Sequence, residues 1–382
     1  MIREAILAAL LFDGATLQAG KAVLTEDGRI IAVVPVAEVP QSFPPRLVDD
    51  GTILAPGLID LQVNGGGGVL FNDSPDLDGL KAIAEAHRLL GTSAILPTLI
   101  SAGRRQIACA MNAVRSAIAA DVPGILGLHV EGPFLNPDRK GIHPAASIRR
   151  PDDADLELLS APFPAPLMVT LAPEMVPPSF IRALVDAGVI VMAGHTEATA
   201  EEIADARAAG LRGFTHLFNA MPPIAARAPG PAGAALGNQE GFASLIVDGR
   251  HVHPAVLRMA VAAKGTERLF LVSDAMPTVG STIAKFSLGE TVIELSHGRL
   301  AGPDGTLGGA HLSLAEAVHN AHRLLGLAPG EALRLATATP AVVLGLGDQL
   351  GRLVPGARAE LALFDAELAL LGTWSGGRFA PA

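Results

Sequence analysis

Four ionisable residues stand where apolar runs of this chain stop. Glu131 closes LGLHVEGPF, His195 closes VIVMAGHT, His216 falls in GFTHLFNAMP and Asp274 closes LFLVSDA. One histidine in such a place is more often a capping or packing residue than a ligand. Four such side chains ending four separate runs call for a common explanation. Two imidazoles and one carboxylate, Glu131, His195 and His216, form the donor set of a hydrolytic metal centre, three protein ligands leaving one position open for water. A divalent cation lowers the pKa of such a water from ~15.7 to about 7 and can polarise a carbonyl oxygen. Asp274 then reads as the general base that takes the water proton and, as acid, delivers it to a leaving nitrogen. Together these roles describe hydrolysis of an amide.

The segment PGLIDLQVNGGGG places Gln62 and Asn64 where many barrel hydrolases carry a His-x-His pair. The i, i+2 spacing turns both side chains to one face, but neutral amides are poor ligands for a transition metal beside imidazole and carboxylate. One metal per subunit is therefore expected, with Gln62 and Asn64 at a former second-metal position. The pair His251 and His253 has the same spacing, yet it follows VDGR and precedes a helical pattern, so it belongs to a loop. His251 reads better as a hydrogen-bond donor to substrate, and His253 as a solvated or helix-start residue. His129, two residues before Glu131, should face the same way one layer deeper, as support or packing.

Positioning these residues requires strands whose ends meet. Short apolar runs alternate with helical patterns from about residue 53 to 274: Ile53–Val63, Thr92–Thr98, Gly124–Glu131, Leu167–Ala172, Val189–His195, Gly213–His216, Phe242–Val247 and Leu269–Asp274. Eight such runs predict a (β/α)8 barrel of the TIM type, whose chemistry lies at the C-terminal strand ends. Residues 1–52 and 351–382 instead show short alternating segments between DG, EDG and Gly-Pro turns. They are expected to form one small β-sandwich from both termini around a barrel spanning 53–350. The stretch KFSLGETVIELSHGRLAGPDGTLGG reads as a hairpin over the barrel mouth.

Composition narrows the function classes. The net charge is −10 and no basic run is interleaved with aromatics, so nucleic acid is not an expected partner. No apolar run reaches the ~18 to 20 residues of a membrane span, and the N-terminal stretch lacks a small-residue cleavage site, which predicts a cytoplasmic protein. The one cysteine, Cys109, excludes a disulfide framework and lies in a helical pattern, where a small buried thiol is expected.

At these residues the sequence resembles the N-acetylglucosamine-6-phosphate deacetylases of the amidohydrolase superfamily. The resemblance covers nearly the whole chain and rests on PGLIDLQVNGGGGVLFND, GTSAILPTLIS, GLHVEGPFLNPDRKGIHP, LAPE, GHTEA, HLFNAMPP with ARAPG, DGRHV, SDAMPTVG, GTLGG and GRLVPGARAEL, in order. It implies Glu131, His195 and His216 as metal ligands, Asp274 as the acid/base and His143 as donor to the acetyl carbonyl. It further implies substrate contacts from Ile142, His143, Asn219, Ala220, Arg227, Asp248, His251, Leu307, Gly308 and Gly309. The metal would be one divalent ion per subunit, zinc in the first place, with iron, cobalt or manganese as alternatives. The partner is a sugar phosphate, and the implied assembly is a homodimer in which Arg227 and His251 are lent by the neighbouring subunit. AMPTVG departs from the commoner ATAPAG-like wording, which leaves N-acetylgalactosamine 6-phosphate as an alternative substrate. A cyclic amidase would need a bridging lysine that no strand end supplies, and a non-catalytic sensor would have no use for Asp274.

Overall fold

The computed structural model describes residues 2–49 and 51–382. Eight parallel strands follow one another in chain order: Leu58–Val63, Thr92–Ile100, Leu128–Glu131, Leu167–Leu171, Ile190–Ala193, Gly213–Phe214, Phe242–Leu245 and Leu269–Leu271. They are buried almost throughout because helices cover the outer face and packed side chains fill the inner one, so they read as continuous apolar runs. The eighth strand closes on the first. Asp274 N donates to Gln62 O at 3.1 Å, and Val63 bridges Ala275. The fully buried Asp60 carboxylate accepts from Ser273 N at 3.2 Å and Gln62 N at 3.1 Å, stapling this seam.

The outer helices begin where the sequence supplies caps. Asp76 accepts from Gly79 N at 2.8 Å ahead of the helix Leu77–Leu89. Thr199 with Glu202, and Ser313 with Glu316, form capping boxes for Ala200–Ala208 and Leu314–Leu325. The latter helix stops at Gly326, whose left-handed φ of 74° ends the ladder.

The two termini build two packed sheets. One, in spatial order, holds Arg29–Pro35, Lys21–Glu26, Arg3–Leu7 and Pro45–Leu47. The other holds Arg378–Pro381, Leu370–Ser375, Leu361–Phe364, Ile53–Pro56, Leu10–Phe12 and Leu17–Ala19. Ile6, Val23, Leu54, Leu361 and Trp374 meet in their shared core.

Several expectations are corrected. The run Ile53–Val63 is two strands: Ile53–Pro56 pairs in the sandwich sheet and Leu58–Val63 opens the barrel. The break falls at Gly57, where a Cβ would lie 2.4 Å from Ser93 Oγ, so only glycine lets the backbone cross between the layers. The apolar stretch MIREAILAALLFDG, which reads as one first strand, likewise divides into Arg3–Leu7 and Leu10–Phe12, one in each sheet. Cys109 is exposed, not buried. Its helix, Arg104–Ala119, turns Ile107, Ala110, Met111 and Val114 inward, and a position two residues beyond Ile107 lies about 200° round the axis. The insertion after the eighth strand is a three-stranded antiparallel sheet, Lys285–Leu288, Thr291–Ser296 and Arg299–Ala301.

Candidate active site

At the C-terminal mouth of the barrel, Glu131, His195 and His216 converge although they lie on the third, fifth and sixth strand ends. Glu131 Oε1 is 3.0 Å from His216 Nε2 and 3.4 Å from His195 Nε2, and the two imidazole nitrogens are 3.1 Å apart. Ligands about 2.0–2.1 Å from a tetrahedral cation lie about 3.3 Å from one another, so the three edges match a single coordination sphere. Tautomer chemistry agrees. His195 Nδ1 donates to Arg139 O at 2.7 Å, which leaves a lone pair on Nε2 aimed at the shared point. All three residues are buried, and the His195 Nε2 lone pair facing His216 Nε2 and the Glu131 carboxylate in a dry site fits a cation between them.

The backbone that presents these groups is unusual. His195, His216, Ala220 and Asp274 have φ of 49°, 33°, 52° and 51°, in the left-handed region. Non-glycine residues there carry strain that persists only where the surroundings over-determine it, and such residues gather at functional sites. Three of the four polar residues that end or follow barrel strands, His195, His216 and Asp274, share this conformation.

Asp274 lies beside the ligand set. Asn64 Nδ2 donates to its Oδ1 at 2.7 Å and Gln62 Nε2 at 3.2 Å, and Gln62 Nε2 also reaches Glu131 Oε1 at 3.0 Å. Among the described residues, the buried carboxamide oxygens of Gln62 and Asn64 have no hydrogen-bond partner. These amides therefore turn their N–H ends to two carboxylates and supply the positive partial charge that a second cation would bring. Burial and the neighbouring Glu131 charge push Asp274 up to about 6, against the pull of His216, His251 and the Asn64 hydrogen bond. Burial also raises Glu131, but its contacts with the His195 and His216 imidazoles outweigh this and hold it well below the usual carboxylate range.

His143 stands 3.7 Å from Glu131 Oε2 through its Nε2. Ser101 N donates to His143 Nδ1 at 3.3 Å, so Nδ1 is an acceptor and the ring proton sits on Nε2, facing the site. Burial, then the neighbouring His195, lower its pKa well below the histidine range, which keeps it a neutral donor. His129 lies one layer deeper, bonded to Thr170 Oγ1 at 2.8 Å and lowered to about 4 chiefly by burial. It contributes no atom to the cluster of converging ligands.

A cavity of about 680 Å³ opens above these groups. Ile142, His143, Asn219, Ala220, His251, Leu307 and Gly309 line it, together with the buried Met276 and with Arg139, Lys140, Asp304 and Thr306, whose exposed or half-buried positions gave no signal in the sequence. Three implied contacts lie elsewhere. Asp248 sits behind His251, accepting from its Nδ1 at 2.6 Å; burial raises this carboxyl, but the His251 hydrogen bond holds it below its ordinary value. Gly308 spends its amide on Leu300 O at 3.1 Å. Arg227 is exposed at the tip of the turn Ala225–Ala228, outside its own chain's cavity. His251 lines the cavity of its own chain. His253 caps the helix Pro254–Lys264, its Nδ1 accepting from Ala255 N at 3.2 Å.

A parallel barrel carrying such a ligand set and an adjacent carboxylate at its strand ends defines a metal-dependent hydrolase. The chain belongs to the Amidohydrolase family, whose sequence profile matches residues 53–379. It is 39% identical over 341 residues to the N-acetylgalactosamine-6-phosphate deacetylase of Shewanella sp. (strain ANA-3), covering 89% of this chain and 86% of that protein. It superimposes on the N-acetylglucosamine-6-phosphate deacetylase of Pasteurella multocida with a TM-score of 0.95 at 32% identity, covering 100% of both chains. A mutant of the Mycobacterium smegmatis N-acetyl-D-glucosamine-6-phosphate deacetylase, in complex with N-acetyl-D-glucosamine-6-phosphate, matches with a TM-score of 0.90 at 30% identity, again over 100% of both.

Proposed function

We propose that this chain hydrolyses the acetamide of N-acetyl-D-glucosamine 6-phosphate, releasing acetate and D-glucosamine 6-phosphate. The observation that carries the reading is the meeting of Glu131, His195 and His216 at one point, with the Asp274 carboxylate and the neutral His143 N–H facing it. The sugar phosphate seen with the Mycobacterium smegmatis protein supports the choice of substrate. A divalent cation on the three ligands, zinc in this reading, supplies Lewis acidity toward water and the acetyl carbonyl. Asp274 accepts the proton of the attacking water on Oδ2, since Asn64 and Gln62 occupy Oδ1. His143 Nε2–H donates to the carbonyl oxygen as negative charge develops there. Asp274 then protonates the nitrogen, the C–N bond breaks and the amine leaves.

Asn219, Ala220, Ile142, Leu307 and Gly309 form the walls against the sugar, and His251, oriented by Asp248, faces the phosphate. Arg227, exposed and without a hydrogen-bond or ion-pair partner among the described residues, is assigned to the phosphate of a second subunit in a cytoplasmic homodimer. Its planar guanidinium suits phosphate oxygens. The galacto epimer is the second reading, favoured by the 39% identity to the Shewanella protein. Acetate release from both hexosamine phosphates and from unphosphorylated N-acetylglucosamine tests these choices. Higher kcat/KM on the gluco phosphate is expected; preference for the galacto epimer would transfer the assignment, and equal turnover of the free sugar would remove the phosphate from it.

A further inference from the structure

Glu174, in the segment LAPE, contributes nothing to the cavity lining. It lies on a short turn, Pro173–Met175, just past the fourth barrel strand. Its half-buried carboxylate nevertheless gathers three donors from the two neighbouring loops. Oε1 accepts from Glu197 N at 2.7 Å and from Asn136 Nδ2 at 2.9 Å, while Oε2 accepts from Thr196 Oγ1 at 2.5 Å. Asn136 belongs to the loop after the third strand; Thr196 and Glu197 follow directly on His195.

His195 is held by that same loop at both of its polar ends. Asn136 N donates to His195 O at 3.0 Å, and Arg139 O accepts from His195 Nδ1 at 2.7 Å. Arg139 in turn bonds the Glu197 carboxylate through Nε at 2.8 Å. Four residues further along stands His143. This web helps hold His195 at its left-handed φ of 49° with Nε2 facing inward.

We infer that Glu174 is a positioning residue: its carboxylate locks loop 136–143 against residues 195–197, fixing the tautomer and aim of His195 and, on the same loop, the aim of His143. The inference rests on the proposed ligand role of His195. A carboxylate suits the position, because it accepts at both oxygens, including the Thr196 hydroxyl proton that a glutamine NH2 could not take. A glutamine would turn an NH2 toward either Thr196 Oγ1, which already accepts from Ala198 N at 2.9 Å, or the Glu197 N–H and Asn136 NH2 donors.

The test compares Glu174→Gln and Glu174→Ala with the parent chain, titrating zinc against a chromogenic chelator and measuring turnover of the metal-loaded proteins. Support of a metal-ligating histidine is worth ~10–100-fold in metal affinity or activity, so zinc should bind ~10–100-fold more weakly to Glu174→Gln. Loss of turnover should appear in kcat, with KM changed less than about threefold. In zinc-loaded protein labelled with 15N-histidine, the His195 Nδ1–H resonance should shift or broaden in the variant. Zinc affinity within about twofold of the parent and an unmoved resonance would overturn the inference, even if the metal-free variant melted at lower temperature. Should the alanine variant fail to fold, the glutamine variant, with the same shape, decides alone. A parent chain that binds no zinc would overturn the ligand reading and this inference together. Tight binding by both parent and variant would overturn this inference only, and the identity of the preferred sugar alters neither result.

Discussion

Replacing Asp274 by asparagine removes the acid/base with little else disturbed. The residue sits at φ 51°, a left-handed conformation that asparagine adopts more readily than other non-glycine residues, so the exchange leaves the backbone in place where alanine would strain it. Asn64 Nδ2 and Gln62 Nε2 donate to Oδ1 at 2.7 and 3.2 Å, and an asparagine oxygen there keeps both bonds. What is lost is Oδ2, replaced by an NH2 that cannot take a proton. General acid–base catalysis contributes about 10²–10⁴ in rate, equivalent to about 2.7–5.4 kcal/mol at 1.36 kcal/mol per decade. Asp274→Asn should therefore lower kcat by ~10²–10⁴-fold in an acetate-release assay. Elemental analysis should still find about one metal per chain, because the three converging ligands are untouched. The pH profile supplies a second readout. Burial and Glu131 lift the Asp274 carboxyl to about 6 and a nearby cation draws it down, so kcat/KM of the parent should fall as pH drops through about 6 or below. That limb should vanish in the variant. A metal-loaded Asp274→Asn chain keeping more than about a tenth of parental kcat would refute the proton-transfer role.

Metal affinity should fall as the solution is acidified. Burial alone would lower His216, but its hydrogen bond and charge contact with Glu131 outweigh that and raise it, so a proton competes for the ligand position. Calorimetry in buffers of differing ionisation heat should show proton release on zinc binding, and an affinity unchanged between pH 8 and about 6 would contradict this. Burial pushes Asp60 from 3.8 up to about 7. Between those values the native state holds a proton that the unfolded chain has released, so this group costs up to ~1.4 kcal/mol of stability per unit rise in pH. Asp60→Asn should remove that slope from urea midpoints measured across the range, and parallel curves for parent and variant would count against it. Arg227→Ala, at an exposed turn tip, should leave the melting temperature unchanged while raising KM for the phosphorylated substrate and not for the free sugar; equal effects on both would end its phosphate assignment.

The legible part of this protein was its buried strands and the residues that end them. A strand covered on both faces must be apolar throughout, so Glu131, His195, His216 and Asp274 stood out against the runs they terminate. Gln62 and Asn64 were legible for the same reason, through their i, i+2 spacing on the first barrel strand. His143, Asn219 and Leu307 lie in irregular segments without period, and only resemblance pointed to them. Cys109 was misread because its environment depends on the phase of a helix, and the break at Gly57 because one apolar run served two sheets.

The sequence alone determined the count of barrel strands, the ligand types and the lack of a His-x-His pair on the first barrel strand, since these follow from residue identity and spacing along the chain. Tertiary structure decided what depends on partners far away in sequence. Asp60 meets Ser273 across the barrel seam, Ser101 sets the His143 tautomer, and Glu174 ties together loops from the third and fifth strands. A half-buried glutamate in a turn reads like any solvated charge until the fold brings three donors to its oxygens. Hydrogen bonds form between atoms adjacent in space, and the barrel's closure brings these pairs together.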